Sequence, residues 1–406
     1  MITLYLDADF QSSSLKSKLS LQYTGNNKKQ LLGPVKSEIH KSATRGKMIT
    51  TSSTPYFAFS NHFHSPYDIV IAPRLNCIVV SDFGNERLMF FYLMSKNYRK
   101  SVPVAFMPTG LCVEERGCTS SRLWNVSSTT TTNTSTSPRA LDSNDEQSSD
   151  DDDDDDNEFN DEEKNREDAL ILAGGYCHLM KVNLKVLWKT NNIKLGALDR
   201  DYTWCVGILD ESGRTEFKEP SSISISFGKT FRDNVVFVAD NYNHAIKIVS
   251  TVDGSILQSI TRYVSYSLGK EIHVKNPNIV NVECFTKFGE VIIASPDKNN
   301  IHIIREISPN EWILVKEIGN NSLYSPFGIC IDQVSPFNYK LIVSDSYHSS
   351  LKILDRFTGQ EEQTFGSKGK SLGQFHHPYG LCYNRRQQEI LLVDRNNSRI
   401  QVINYS

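Results

Sequence analysis

The stretch GQFHHPYGLCYNRRQQEILLVDRNNSRIQVI, Gly373 to Ile403, decides the fold. Phe375 stands three residues before Pro378, and a short apolar strand follows the proline. A second strand, EILLVD, ends on Asp394; a tight turn follows, and a third strand alternates from Arg399. Short runs rich in Val, Ile and Leu, bounded by turn formers, are the mark of β-strands. The same order of features recurs in SLYSPFGICI…KLIVSDSYHSSLKIL, Ser322 to Leu354.

Working outward, the grammar reappears at Pro66, Pro108, Pro220 and Pro277, making six copies with Pro326 and Pro378. Successive prolines from Pro220 onward are 57, 49 and 52 residues apart. Pro66 to Pro108 is 42 residues, and Pro108 to Pro220 is 112, of which about 50 belong to a low-complexity insert. A period of this size built from short strands points to blades. Stacked helical repeats are disfavoured, since no ten-residue stretch carries a 3.6-residue period. A four-stranded blade cannot cover both its faces alone, and radial stacking solves this while protecting the edges. The proline opens each innermost strand, where no donor is required. Gly110, Gly328 and Gly380 follow two residues later, where strands crowd around a narrow channel.

The second strand ends on a carboxylate in four copies: Asp82-Phe-Gly-Asn85, Asp240-Asn-Tyr-Asn243, Asp345-Ser-Tyr-His348 and Asp394-Arg-Asn-Asn397. These residues are expected to cap the hairpin turn, the Asp accepting backbone N–H bonds and the Asn or His tolerating left-handed geometry. Recurrence at one structural position argues against catalytic acids. Gly174 and Pro296 replace the Asp in copies two and four, so those hairpins are expected to be looser.

The pattern F-x-x-P-x-G-[IL], a strand ending V-[AS]-D, then x-x-N-x-R-[IV]-x-[VI], resembles the NHL repeat. It is carried best by Phe375–Ile403 and Phe217–Val249, with Ser325–Leu354 close behind. The likeness covers roughly residues 55–406 apart from the insert. It departs from the family in the missing Asp at 174 and 296 and in the missing Gly after Pro66, Pro220 and Pro277. The resemblance implies a six-bladed β-propeller, an all-β fold. It also implies a binding role, since NHL domains of the tripartite-motif class bind protein or RNA and many members recruit substrates for ubiquitin ligases. This chain shows no RING, so such a role requires a separate partner.

The last copy stops just after its third strand, leaving its outermost strand absent. Residues 55–60, PYFAFS, precede copy one in the place where other copies carry that strand, and are expected to close the ring; Ile2 to Asp7 is the alternative donor. Residues 1–54 then form an N-terminal extension. Its stretch 8–50, with Lys16, Lys18, Lys28, Lys29, Lys36, Lys41, Arg45 and Lys47, is expected to be loosely attached.

The formal charge of −3 conceals an asymmetry. Residues 142–168 hold sixteen acids against Lys164 and Arg166, a net of −14; the remainder carries 42 bases and 31 acids, a net of +11. A Ser/Thr tract precedes the acids, so residues 119–168 form an insertion in blade two that is expected to be disordered. Hydrophobic residues at 39% suffice for a sizeable core. No apolar run approaches the ~20 residues of a membrane span. The N-terminus lacks a basic and apolar leader pattern, and the expected setting is the cytoplasm, with the nucleus as the second. Eight cysteines without a C-x-x-C pair exclude a disulfide scaffold and a zinc ribbon.

The residues just after the six prolines, Tyr67, Thr109, Ser221, Asn278, Phe327 and Tyr379, are expected to ring one channel mouth on the face of the Asp turns. Three aromatics on a basic body can stack bases or anchor a peptide, or simply plug the channel. Cys112, Cys330 and Cys382 repeat at one place in the innermost strands and read as buried small hydrophobes. His64, His376 and His377 lie near two neighbouring mouth loops only, so no metal is expected. No catalytic motif is present, and no cofactor is expected. The leading reading is a monomeric, non-enzymatic platform for a protein partner. RNA binding at the mouth and a channel-bound lyase or hydrolase are the competing readings.

Overall fold

The computed structural model describes residues 57–115 and 166–405, apart from 176, 192, 196–201, 208–214, 284–288, 296–298, 320–321 and 336–337. The chain divides into Met1–Gly46 and Lys47–Ser406; the first lies wholly outside the described residues, and the second holds the propeller. The expected mobility of residues 8–50, the disorder of the acidic insertion and the alternative strand at Ile2 to Asp7 also fall outside them.

A short strand, β1 (Phe57–Phe59), comes first. Blade one follows as β2 (Pro66–Ala72), β3 (Cys77–Asp82), β4 (Arg87–Tyr92) and β5 (Tyr98–Pro103). Blade two is β6 (Pro108–Glu114), β7 (Ala169–Gly174), β8 (His178–Asn183), a helix α1 (Leu184–Lys189) and β9 (Trp204–Val206). Blade three is β10 (Pro220–Ser226), β11 (Val235–Asp240), β12 (Ala245–Ser250) and β13 (Ile256–Ile260). A hairpin of β14 (Arg262–Ser265) and β15 (Lys270–His273) precedes blade four, which is β16 (Ile279–Glu283), β17 (Glu290–Ser295), β18 (Asn300–Ser308) and β19 (Glu311–Ile318). Blade five is β20 (Pro326–Ser335), β21 (Asn338–Asp345), β22 (Ser350–Asp355) and β23 (Glu361–Phe365). A small bridge of β24 (Ser367–Lys368) and β25 (Gln374–Phe375) leads into blade six: β26 (Pro378–Asn384), β27 (Glu389–Asp394) and β28 (Arg399–Asn404). Each blade is an antiparallel meander, as the sequence predicts, and the six stand in propeller order.

The strand composition follows from the radial position. β3, β7 and β27 are almost continuously apolar because both faces of a middle strand are covered by neighbouring blades. The outermost β23, EEQTF, is polar and largely open to solvent. Six apolar clusters fill the six blade-to-blade interfaces. Phe90, Leu172 and Met180 lie in the one between blades one and two, and Ile78, Val393 and Ile400 in the one that closes blade six on blade one.

Closure runs as the sequence indicates. β1 pairs antiparallel with β28, Phe57 opposite Val402, Ala58 opposite Gln401 and Phe59 opposite Ile400, so blade six takes its outer strand from the N-terminal side. Phe59 also sets its ring 4.8 Å from Phe91 of blade one. A buried Lys96 crosses the same seam, its Nζ 2.7 Å from Glu389 Oε2. Blade four departs from the repeat. The hairpin β14–β15 extends its sheet to six strands through a parallel contact of Val264 with Ile313. No helix among the described residues is long and apolar enough to cross a membrane.

Candidate functional site

The innermost strands of all six blades line a central cavity of about 840 Å³. The repeat prolines open these strands at the end that carries the Asp turns: Pro66 pairs with Asp82, Pro220 with Asp240, Pro326 with Asp345 and Pro378 with Asp394.

The six residues after the prolines divide into two halves. In blades one, five and six, Tyr67, Phe327 and Tyr379 gather over the channel end. Phe327 and Tyr379 stack with centroids 3.7 Å apart, and Tyr67 meets them edge-on at 6.0 and 5.3 Å. The Arg395 guanidinium lies 4.3 Å from the Tyr379 centroid and 5.6 Å from that of Tyr67. Burial pushes both phenols up, so they stay neutral. The plugging arrangement is therefore the one the rings adopt, and they face one another rather than lying free to stack bases. In blades two, three and four, Thr109, Ser221 and Asn278 join neighbours instead. Thr109 Oγ1 donates to the Pro220 carbonyl at 2.7 Å, Ser221 Oγ to the Asn278 carbonyl at 3.1 Å, and Asn278 Oδ1 accepts from Asn241 Nδ2 at 3.0 Å.

The crowding expected at the glycines is present. A Cβ on Gly328 would lie 2.4 Å from the Tyr379 carbonyl oxygen, and one on Gly380 would lie 2.3 Å from Asp68 Oδ1. Both glycines let an adjacent blade approach.

The turn carboxylates require a correction. Asp82, Asp240, Asp345 and Asp394 are fully buried, but the backbone N–H groups they chiefly accept come from the loop before the repeat proline. The donors are His64, Lys218, Tyr324 and His376, at 2.7, 2.7, 3.1 and 2.7 Å. The second carboxylate oxygen takes the side chain three residues on: Asn85, Asn243, His348 or Asn397. It also takes a cation at the start of the third strand, as Arg87 Nε on Asp82 at 2.7 Å and Arg399 Nε on Asp394 at 2.8 Å. In blades one, three and six the hairpin is a 3-10 turn without a side-chain cap; in blade five the His348 N–H donates to Asp345 Oδ1 at 3.5 Å; in all four the left-handed residue comes one position later than expected, at Glu86, His244, Ser349 and Ser398. Each Asp clamps its turn to the preceding loop because that loop's N–H is the buried donor lacking a strand partner. In blade two, where Gly174 replaces the Asp, the hairpin is held otherwise: Phe106 and His178 stack at 4.9 Å, and Gly175 N–H donates to the Met107 carbonyl at 2.8 Å. The blade-four turn at 296–298 lies outside the described residues.

Cys112, Cys330 and Cys382 sit in the channel wall, and burial raises all three thiols well above their ordinary range. His64 Nδ1 lies 3.2 Å from the Gly84 carbonyl, and His377 Nδ1 lies 3.4 Å from Ser346 Oγ. Among the described residues no three His, Cys, Asp or Glu side chains are placed to hold a metal ion. Two residues were missed by the sequence reading: Arg395, which covers the plug, and Asp68, which lines the cavity. Asp68 was signalled by the missing glycine after Pro66. The far end of the cavity carries Arg74, Glu115, Arg385 and Arg386, with Arg74 paired to Asp168 at 3.3 Å.

No family model matches the chain, and no curated protein matches it. Solved structures do. An auxiliary nutrient binding protein from Bacteroides ovatus is 8% identical, with a TM-score of 0.52 over 85% of this chain and 70% of that one. An auxiliary nutrient binding protein from Bacteroides thetaiotaomicron is 10% identical, with a TM-score of 0.47 over 84% and 69%. The Cps50 (Swd1) β-propeller domain of Myceliophteria thermophila is 8% identical, with a TM-score of 0.48 over 87% of this chain and all of that one. At such identities the likeness is one of fold. The chain is a six-bladed β-propeller, and its resemblance to the NHL repeat rests on the repeat pattern alone.

Proposed function

We propose that this propeller is a non-enzymatic interaction platform that binds a protein partner on the face carrying the Asp turns. The observation that carries the reading is a pair of exposed tyrosines in blade five. Tyr324 and Tyr347 are 45% and 61% exposed, yet their ring centroids stand 4.2 Å apart, with His348 beside both. Tyr242 occupies the equivalent turn position in blade three and is 53% exposed. Exposed aromatic clusters rimmed by polar groups mark protein contacts, and tyrosine is enriched where binding energy concentrates. The NHL-like pattern supports a narrower reading, in which the bound partner is a substrate presented to a ubiquitin ligase on a separate chain, in the cytoplasm or nucleus.

Affinity capture of the intact chain, with and without nuclease, tests this against the Tyr324→Ser, Tyr347→Ser double variant. Proteins should be retained after nuclease and lost with the double variant, whose melting temperature should stay within a few degrees. Release by nuclease, or retention unchanged by the variant, overturns the proposal. A RING-bearing chain among the tyrosine-dependent companions would support the ligase reading, and none among them would count against it.

A further inference from the structure

The plugged end of the channel holds a charge that the fold does not neutralise. Asp68 stands two residues after Pro66, at the position of Gly110, Gly328 and Gly380 in three other blades. Its Oδ1 accepts from the Ile69 N–H at 2.8 Å and its Oδ2 from the Leu111 N–H at 2.9 Å. Among the described residues no lysine, arginine or histidine bonds to it. Of the ionisable groups around it, Tyr67 on its own strand and the Cys112 and Cys382 thiols of the flanking blades are held neutral by burial, and the Arg395 guanidinium lies over the Tyr67 and Tyr379 rings without bonding to Asp68. Asp68 is half-buried and lines the cavity, and a carboxylate in so apolar a setting normally has a cationic partner, so one without it is a vacancy for a positive group.

The surroundings narrow the chemistry. Tyr67 and Phe327 line the cavity beside Asp68, and aromatic rings favour a cation. Beyond them the wall is mostly apolar, with Leu111, Ile223, Val280, Ile329 and Leu381. A volume of about 840 Å³ is that of a small-molecule site. Arg385 and Arg386 at the far rim disfavour a second positive charge at the distal end. We infer that the channel binds a small organic cation: an elongated monoamine whose ammonium pairs with Asp68 and whose apolar body lies along the inner strands. The site is separate from the Tyr324 and Tyr347 pair, neither of which lines the cavity.

Calorimetric titration of the intact chain with octylamine, octanoate and 1-octanol tests the inference. Octylamine should bind at one site at least tenfold more tightly than either analogue of the same length. Asp68→Asn should reduce its affinity to that of 1-octanol. Val113→Trp, which fills the channel away from Asp68, should abolish binding of all three. Failure of octylamine to bind, octanoate binding equally well, or unchanged octylamine affinity in either variant overturns the inference. The second variant keeps the test decisive if Asp68→Asn does not fold.

Discussion

Asp68 illustrates what one residue out of register with its repeats does. Burial raises its carboxyl to about 6 despite two backbone N–H bonds that act the other way. An acid with a folded pKa above its unfolded value holds its proton more tightly in the folded state. Its stabilising effect is therefore complete below about pH 4 and is lost as pH rises through about 6. The shift corresponds to about 3 kcal/mol as an upper bound. Thermal denaturation of wild type and Asp68→Asn between pH 4 and 7.5 should show the wild type losing ground to the variant as pH rises; a constant difference would show that the carboxyl titrates normally. The four buried turn aspartates were legible in the sequence as a repeated structural feature. Their donors were not, because the N–H groups lie 18 to 22 residues earlier and the spacing alone does not show which loop folds back. Ser65, Glu219, Ser325 and His377, each just before a repeat proline, all have positive φ. Asn276, before Pro277, shares it although blade four has Pro296 in place of the Asp, so the strain belongs to the entry into the innermost strand and not to the clamp.

Among the elements, β1 carries the most consequence for its length. Three residues complete blade six and bring Phe59 against blade one. Deleting residues 51–62 removes this strand together with the Asn61 and His62 carbonyls that accept from Arg87. The melting temperature should fall sharply, by more than the few degrees of an ordinary surface change. An unchanged melt by circular dichroism would show that another segment closes the ring. The strand was legible because copy six lacks an outer strand and copy one has a surplus. The hairpin β14–β15 was not. Its residues carry no repeat signal, and only the apolar cluster that blades three and four form together gives Tyr263 and Ile272 a surface to bury against. Helix α1 is similar: six residues long, it is too short for an amphipathic period to show.

For the molecule as a whole, stability is spread over six similar interfaces, with the seam between blades six and one reinforced by Lys96 and β1. Charged contacts join other blades as well. Lys181 and Glu114 of blade two form a buried pair at 2.6 Å and both reach Thr251 beside blade three. Residues 116–165, which hold most of the acidic insertion, lie outside the described residues. Glu114 and Ala169, on either side of it, are already paired across β6 and β7. Replacing residues 116–165 with a four-residue turn should therefore leave the melting temperature within about two degrees, since shortening a surface loop changes closure entropy only slowly. A collapse in that measurement would show that the segment contributes to the fold.

The sequence by itself determined the architecture: six strand grammars, their order, and the borrowed strand that closes them. These are local signals, set by short apolar runs, prolines and turn residues that repeat. Only the tertiary structure decided how the mouth is used. Curling the repeats into a ring brings Tyr67, Phe327 and Tyr379 together although 312 residues separate the first from the last. The same curling leaves Asp68 in a shared cavity without a countercharge, because desolvation depends on what five other blades place around a residue and not on its neighbours in the chain.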